Sequence, residues 1–271
     1  MSAPGLEVHG SRPQHRAGSG RRVRFERGSR SRGGIARLIV QKFGGTSVED
    51  GPALERLAAI VSREQGNRPV VVVSAMGKTT NRLVEALESA VAGDEAGACD
   101  RIARLRRDTL AIVEAFFGAG ADRVGRQIQG DFAELERMAR AVAVLRSVPS
   151  ASRDHFLAHG ELVSSVIAAE AMALYGLPAT RVDAREIVIT DDRFGRAQPD
   201  FPEIGRRARR RLASLCDQGR IPIVGGYMGA THQGETTTLG RGGSDYSAAI
   251  LGAALDASLV EIWTDVDGMM T

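Results

Sequence analysis

Two stretches of this 271-residue sequence hold residue types that chemistry uses and that folding alone does not demand. The first is Lys42-Phe43-Gly44-Gly45-Thr46-Ser47, which combines a cation, two residues without a Cβ and two hydroxyls. Glycines let backbone N–H groups approach an anion, a helix N-terminus beyond them adds partial positive charge, and lysine supplies a mobile point charge. Phosphate is the natural occupant of such a turn, although a strand-to-helix turn built on Gly-Gly also arises for steric reasons alone. The second stretch is 234–245, where three threonines and four glycines surround Arg241. That composition cannot pack an apolar core but can line a polar site in which Arg241 holds a carboxylate with its planar fork. A flexible surface loop is the alternative. Between them, Ser74-Ala75-Met76-Gly77-Lys78-Thr79-Thr80-Asn81 offers hydroxyls at a strand end, or ordinary turn and capping chemistry. Gly77-Lys78-Thr79 invites a P-loop reading, but Val72 stands where that motif needs its first glycine, so the reading fails. His155 and His159 stand four apart with Glu161 beyond, without the HExxH arrangement of a zinc protease, and no metal site is assigned.

The elements that must carry these residues alternate in type. Leu38 to Phe43 reads as a strand that stops at Gly44-Gly45, and Thr46 or Ser47 can cap a helix whose apolar residues Leu54, Leu57, Ala58 and Val61 recur at helical spacing. Val70 to Val73 reads as a strand buried on both faces. From Thr79 to Gly176 the pattern is helical, with breaks expected at Gly93, Gly118 to Gly120 and Pro149. Strands return at Ala179 to Val182, Glu186 to Ile189, Ile221 to Val224 and Leu259 to Trp263. An arginine-rich helix spans Glu203 to Gln218, its run Arg206 to Arg211 reading as a solvated face, and a glycine-dense loop precedes a helix over Tyr246 to Leu255. The expected class is α/β, a mostly parallel sheet sandwiched between helices. In such sheets ligands gather at the carboxyl ends of strands, so the turns after Phe43, Ser74, Val224 and Thr264 are the places to look.

Composition sets the surroundings. With 43% hydrophobic residues the chain can bury a substantial core. Cys99 and Cys216 are too few and too far apart for a disulfide framework or a zinc knuckle, which points to a reducing cytoplasm. The apolar stretches look strand-sized, and no segment of about 20 apolar residues is apparent, so no membrane span is expected. Residues 1–36 hold eight arginines against two glutamates and read as a basic, disordered extension, with 37–271 as the folded domain. Such a tail could bind nucleic acid or an anionic membrane, or act as an organellar transit peptide, but disorder is the simpler reading and no nucleic-acid or membrane partner is expected. Lysine occurs only at Lys42 and Lys78.

Read together, Lys42 to Val48, His159-Gly160-Glu161, Thr236 to Asp245 and Trp263-Thr264-Asp265-Val266-Asp267-Gly268 resemble the signature set of the aspartokinases. Asp192-Arg193-Phe194-Gly195-Arg196-Ala197 is similar to the lysine-sensitive branch. The resemblance implies the amino acid kinase fold, L-aspartate and ATP as substrates with Mg²⁺, and the first step towards lysine, threonine and methionine. It implies that Lys42, supported by Asp245, neutralises the transferring phosphoryl group. It further implies that Gly44, Gly45, Thr46, Thr264 and Asp265 contact the nucleotide. Glu161 would bind the α-ammonium of aspartate and Arg241 its α-carboxylate, with Ser74, Thr80 and Ser244 nearby. Members of the family continue past a Gly-Ile-Tyr, where this chain has Gly268-Met269-Met270, into more of the nucleotide site and regulatory ACT domains. The chain therefore reads as an incomplete catalytic domain, whose full-length form would be a homo-oligomer.

Overall fold

The computed structural model describes residues 38–264 and the backbone of one further strand at 21–26. In chain order the elements are β1 (Arg21–Glu26), β2 (Ile39–Phe43), α1 (Gly51–Arg63), β3 (Pro69–Val73), α2 (Thr79–Val91), α3 (Glu95–Phe117), α4 (Ala121–Leu145) and α5 (Ser150–Leu174). They continue with β4 (Ala179–Val182), β5 (Ile189–Thr190), α6 (Phe201–Ala208), α7 (Ser214–Asp217), β6 (Ile221–Gly225), β7 (Met228–Thr231), β8 (Thr236–Thr238), α8 (Gly243–Ala254) and β9 (Leu259–Thr264). A π-helical turn over Arg209–Ala213 joins α6 to α7, so the arginine-rich segment runs as one interrupted helix with Arg209, Arg210 and Arg211 exposed.

The main sheet has the order β1-β9-β2-β3-β6-β4, in which every pairing is parallel except that of β1 with β9. A second sheet of order β5-β7-β8 stands beside it. Strand β3 shows how the sequence builds two cores from one sheet. Side chains alternate across a strand, so Val71 and Val73 enter the core under α1 to α5 with Phe132, Phe156 and Ile167, while Val70 and Val72 enter the core with Ile204, Leu212 and Leu251. All four valines are fully buried, each contributing about 1.5–3 kcal/mol from its removal from water.

Four expectations from the sequence are corrected. The turn after β2 enters a single 3-10 turn, Gly45–Ser47, and α1 begins only at Gly51, capped by the Asp50 carboxylate accepting from Ala53 N at 2.8 Å. Neither Thr46 nor Ser47 caps it, and no long helix begins directly at the glycines. Glu186 to Ile189 is mostly not strand: 184–186 forms a 3-10 turn held by Asp183, leaving a two-residue β5. Residues 21–26, placed in the structureless extension, form β1 along the free edge of β9; the rest of 1–36 lies outside the described residues. Finally, α5 is long and apolar enough to cross a bilayer, with an 18-residue window of mean hydropathy 1.3. Most of that window is buried against both the helices and the sheet, which makes α5 the central core helix.

Candidate active site

Four parallel strands, β9, β2, β3 and β6, end side by side, and backbone hydrogen bonds sew their carboxyl ends together. Gly44 N donates to Trp263 O at 2.9 Å, Ser74 N to Phe43 O at 3.0 Å and Gly226 N to Val73 O at 2.8 Å. Ser47 Oγ adds a bond to Trp263 O at 3.3 Å, and the Phe43 and Trp263 rings stack 6.2 Å apart. The Gly44-Gly45 turn is pressed onto the next strand end: Gly77 N donates to Gly45 O, and a Cβ on Gly45 would lie 2.8 Å from Ala75 O. That distance is closer than real Cβ atoms come, so glycine is needed there for contact rather than for φ.

Three elements deliver charged groups to this edge. Lys42 projects from β2, is 6% exposed, and pairs through Nζ with Asp245 Oδ1 at 2.6 Å. Asp245 lies in the first turn of α8, where the helix dipole favours a carboxylate. Glu161 comes from the middle of α5, is 3% exposed, and its pKa is raised to about 8. Burial is the main cause; hydrogen bonds from Ala75 N and Ser244 and the charge of Lys42 pull the other way. Its Oε2 has no hydrogen-bond partner. A Cβ on Gly226 would meet Ser244 at 2.7 Å, so only a glycine just past β6 lets α8 start this close to the sheet.

The Thr-rich run differs from its expected form. Thr236, Thr237 and Thr238 are not an open polar loop but the buried strand β8. Thr237 Oγ1 meets Thr190 Oγ1 at 2.7 Å. Asp154, 1% exposed on α5, accepts from Thr238 N and from Gly195 N, each at 2.7 Å, fastening β8 and the 192–197 turn to the core helix. Burial raises the Asp154 pKa, and the two backbone donors pull it back. Beyond β8, Arg241 is exposed and forms no ion pair among the described residues.

The structure therefore brings Lys42, Gly44, Gly45, Ser74, Glu161, Ser244, Asp245 and Thr264 to neighbouring strand ends and the helix starts beside them. Thr46 lies half-buried in the 3-10 turn and Thr80 half-buried in the first turn of α2, and Asp265 lies outside the described residues, as do Asp267 to Met270. Sequence reasoning missed Asp154, Ser164, whose Oγ donates to Ser74 O at 2.6 Å, and Glu134 on α4. For Asp154 a signal existed, an acid on an otherwise apolar helix face. Glu134 had none, since its hydrogen-bond partner His155 lies 21 residues away in another helix.

Residues 37–271 match the model of the amino acid kinase family. The chain belongs to the amino acid kinase family. Among curated relatives of this kinase, lysine-sensitive aspartokinase 3 of Escherichia coli is 37% identical over 242 residues, covering 88% of this chain and 51% of that protein. Aspartokinase 1, chloroplastic, of Arabidopsis thaliana is 32% identical, covering 86% of this chain and 41% of its own length. Among solved structures, E. coli aspartokinase III in complex with aspartate and ADP superposes with a TM-score of 0.78 at 37% identity, over 85% of this chain and 50% of the other. The same enzyme with lysine and aspartate gives 0.79 at 36% identity, over 86% and 50%. This kinase-family chain thus spans about half the length of its E. coli relative.

Proposed function

We propose that the chain is an aspartate kinase, transferring the γ-phosphoryl group of ATP to the β-carboxylate of L-aspartate to give 4-phospho-L-aspartate, in the cytoplasm. The observation that carries this reading is Glu161: a buried carboxylate with one oxygen unpartnered, in the same strand-end cluster as Lys42, in a chain similar to an enzyme solved with aspartate and ADP. A buried acid with an open acceptor suits an ammonium group, which would return it to the charged form.

Phosphoryl transfer to a carboxylate needs little beyond position and charge. The accepting carboxylate has a reference pKa of about 3.9 and is already ionised at neutral pH, so no general base is required. In this reading Lys42, held by Asp245, neutralises the charge that develops on the moving phosphoryl group. Gly44 and Gly45 bring the β2 turn close to the phosphates, with Thr46, Thr264 and Asp265 towards the nucleotide. Glu161 takes the α-ammonium and Arg241, turned in from solvent, takes the α-carboxylate, while Ser74, Thr80 and Ser244 supply hydroxyls. Mg²⁺ prefers one or two carboxylates plus phosphate oxygens, and the oxygen donors Asp245, Ser74 and Thr264 would hold it here. It would supply charge neutralisation on the phosphates.

The test is ADP release with hydroxylamine trapping of the acyl phosphate, comparing L-aspartate with L-glutamate, carbamate and UMP. L-aspartate should be the fastest acceptor, and faster turnover of any other would contradict the assignment. The second reading is a chain that binds aspartate without turnover. Aspartate binding without ADP release would support it.

A further inference from the structure

A second cluster of titratable side chains uses none of the residues assigned above. His155 and His159 lie one helical turn apart on α5, and Glu134 reaches them from α4. Glu134 Oε1 is 2.8 Å from His155 Nε2, and its Oε2 is 3.7 Å from His159 Nε2; one ligand atom from each residue falls within 4.8 Å of the others. In a tetrahedral Zn²⁺ site with metal–ligand bonds of about 2.0–2.2 Å, neighbouring ligand atoms stand about 3.3–3.5 Å apart. Those two distances run to different oxygens of the Glu134 carboxylate, and with one ligand atom per residue lying within 4.8 Å of the others, side-chain shifts of about 1 Å would complete three corners.

The rings are also oriented as ligands. His159 Nδ1 lies 2.9 Å from His155 O, a bond in which only the ring can donate, so the lone pair of neutral His159 sits on Nε2 and faces Glu134. His155 Nδ1 lies 3.0 Å from Thr236 Oγ1, which also accepts from Arg185 Nη1 at 3.3 Å; in the tautomer whose Nδ1–H donates to that hydroxyl, the lone pair sits on Nε2 as well. A single proton between His155 and Glu134 satisfies one of these contacts and leaves the other as two acceptors facing each other. One cation satisfies both. Glu134 and His155 keep 42% and 28% of their side chains exposed, which leaves a route for the ion and for a water at the fourth corner.

We propose that Glu134, His155 and His159 form a Zn²⁺ site that ties α4 to α5 and, through Thr236, to β8. Imidazole and carboxylate donors suit Zn²⁺ among the divalent ions. On binding, the metal replaces the proton between His155 and Glu134, which is released to solvent. The experiment is calorimetric titration of the metal-free chain with ZnCl₂ alone, beside Glu134→Gln and His155→Ala, with thermal melts of all three with and without the metal. The expected result is one equivalent bound and a metal-dependent rise in melting temperature. Each substitution should weaken binding at least about tenfold and abolish that rise. Absence of saturable binding would overturn the proposal, and so would wild-type binding in both variants, which would assign the metal to other donors such as His9 and His15. Both substituted side chains are partly exposed, and either variant that folds decides the question.

Discussion

Lys42 and Arg241 carry opposite burdens in the proposed reaction, and their surroundings differ accordingly. Lys42 is buried and already fixed to Asp245, so its charge is preorganised for a change that occurs only in the transition state. Arg241 is exposed, and in the proposed reaction it gains its partner only when substrate arrives. Lys42→Ala should therefore lower kcat by about 10²–10³-fold with little change in the KM for aspartate, as loss of one preorganised charge-stabilising donor does. Arg241→Ala should mainly raise that KM. Steady-state kinetics on both variants check the split, and equal mild effects would contradict it. Lys42 and its two glycines were legible because a strand-ending turn keeps its chemistry within a few consecutive residues. The partner of Lys42 lies about 200 positions away, and no spacing in the sequence measures that approach; the resemblance to aspartokinases supplied it.

The elements most legible in sequence were those whose periodicity runs long: α1 to α5 and the all-valine strand β3. Those misread are short and polar. Strands β7 and β8 hide in a glycine- and threonine-rich stretch because their burial comes from neighbours rather than from apolar side chains, as the buried Thr237–Thr190 contact shows. Asp154 fastens β8, accepting from one backbone donor in that strand and one in the 192–197 turn. Asp154→Ala should leave both N–H groups unsatisfied and cost about 1–3 kcal/mol, read as a lowered denaturant midpoint. Asp154→Asn, which keeps an oxygen acceptor, should lose less. Equal stability of Asp154→Ala and the unsubstituted chain would mean that β8 is held by its own ladder alone.

At the scale of the molecule, two cores share one parallel sheet, and that arrangement forces the carboxyl ends of β9, β2, β3 and β6 to one edge. The sequence could forecast the edge from strand order and class. Periodicity and hydropathy alone could not forecast that the central helix α5 would carry an acid there through an apolar interior, since they fit a core or a membrane; only the resemblance to the aspartokinases pointed to Glu161. Burial raises the Glu161 pKa to about 8, which favours its protonated form at pH 7, and in the proposed site an ammonium ligand would drive that proton off. Titration of L-aspartate into the chain at pH 7, in two buffers of different ionisation heat, tests this directly. The account predicts release of about one proton per aspartate bound, and both weaker binding and no proton release in Glu161→Gln. Binding of equal strength in both proteins without proton release would contradict the placement of the aspartate ammonium at Glu161.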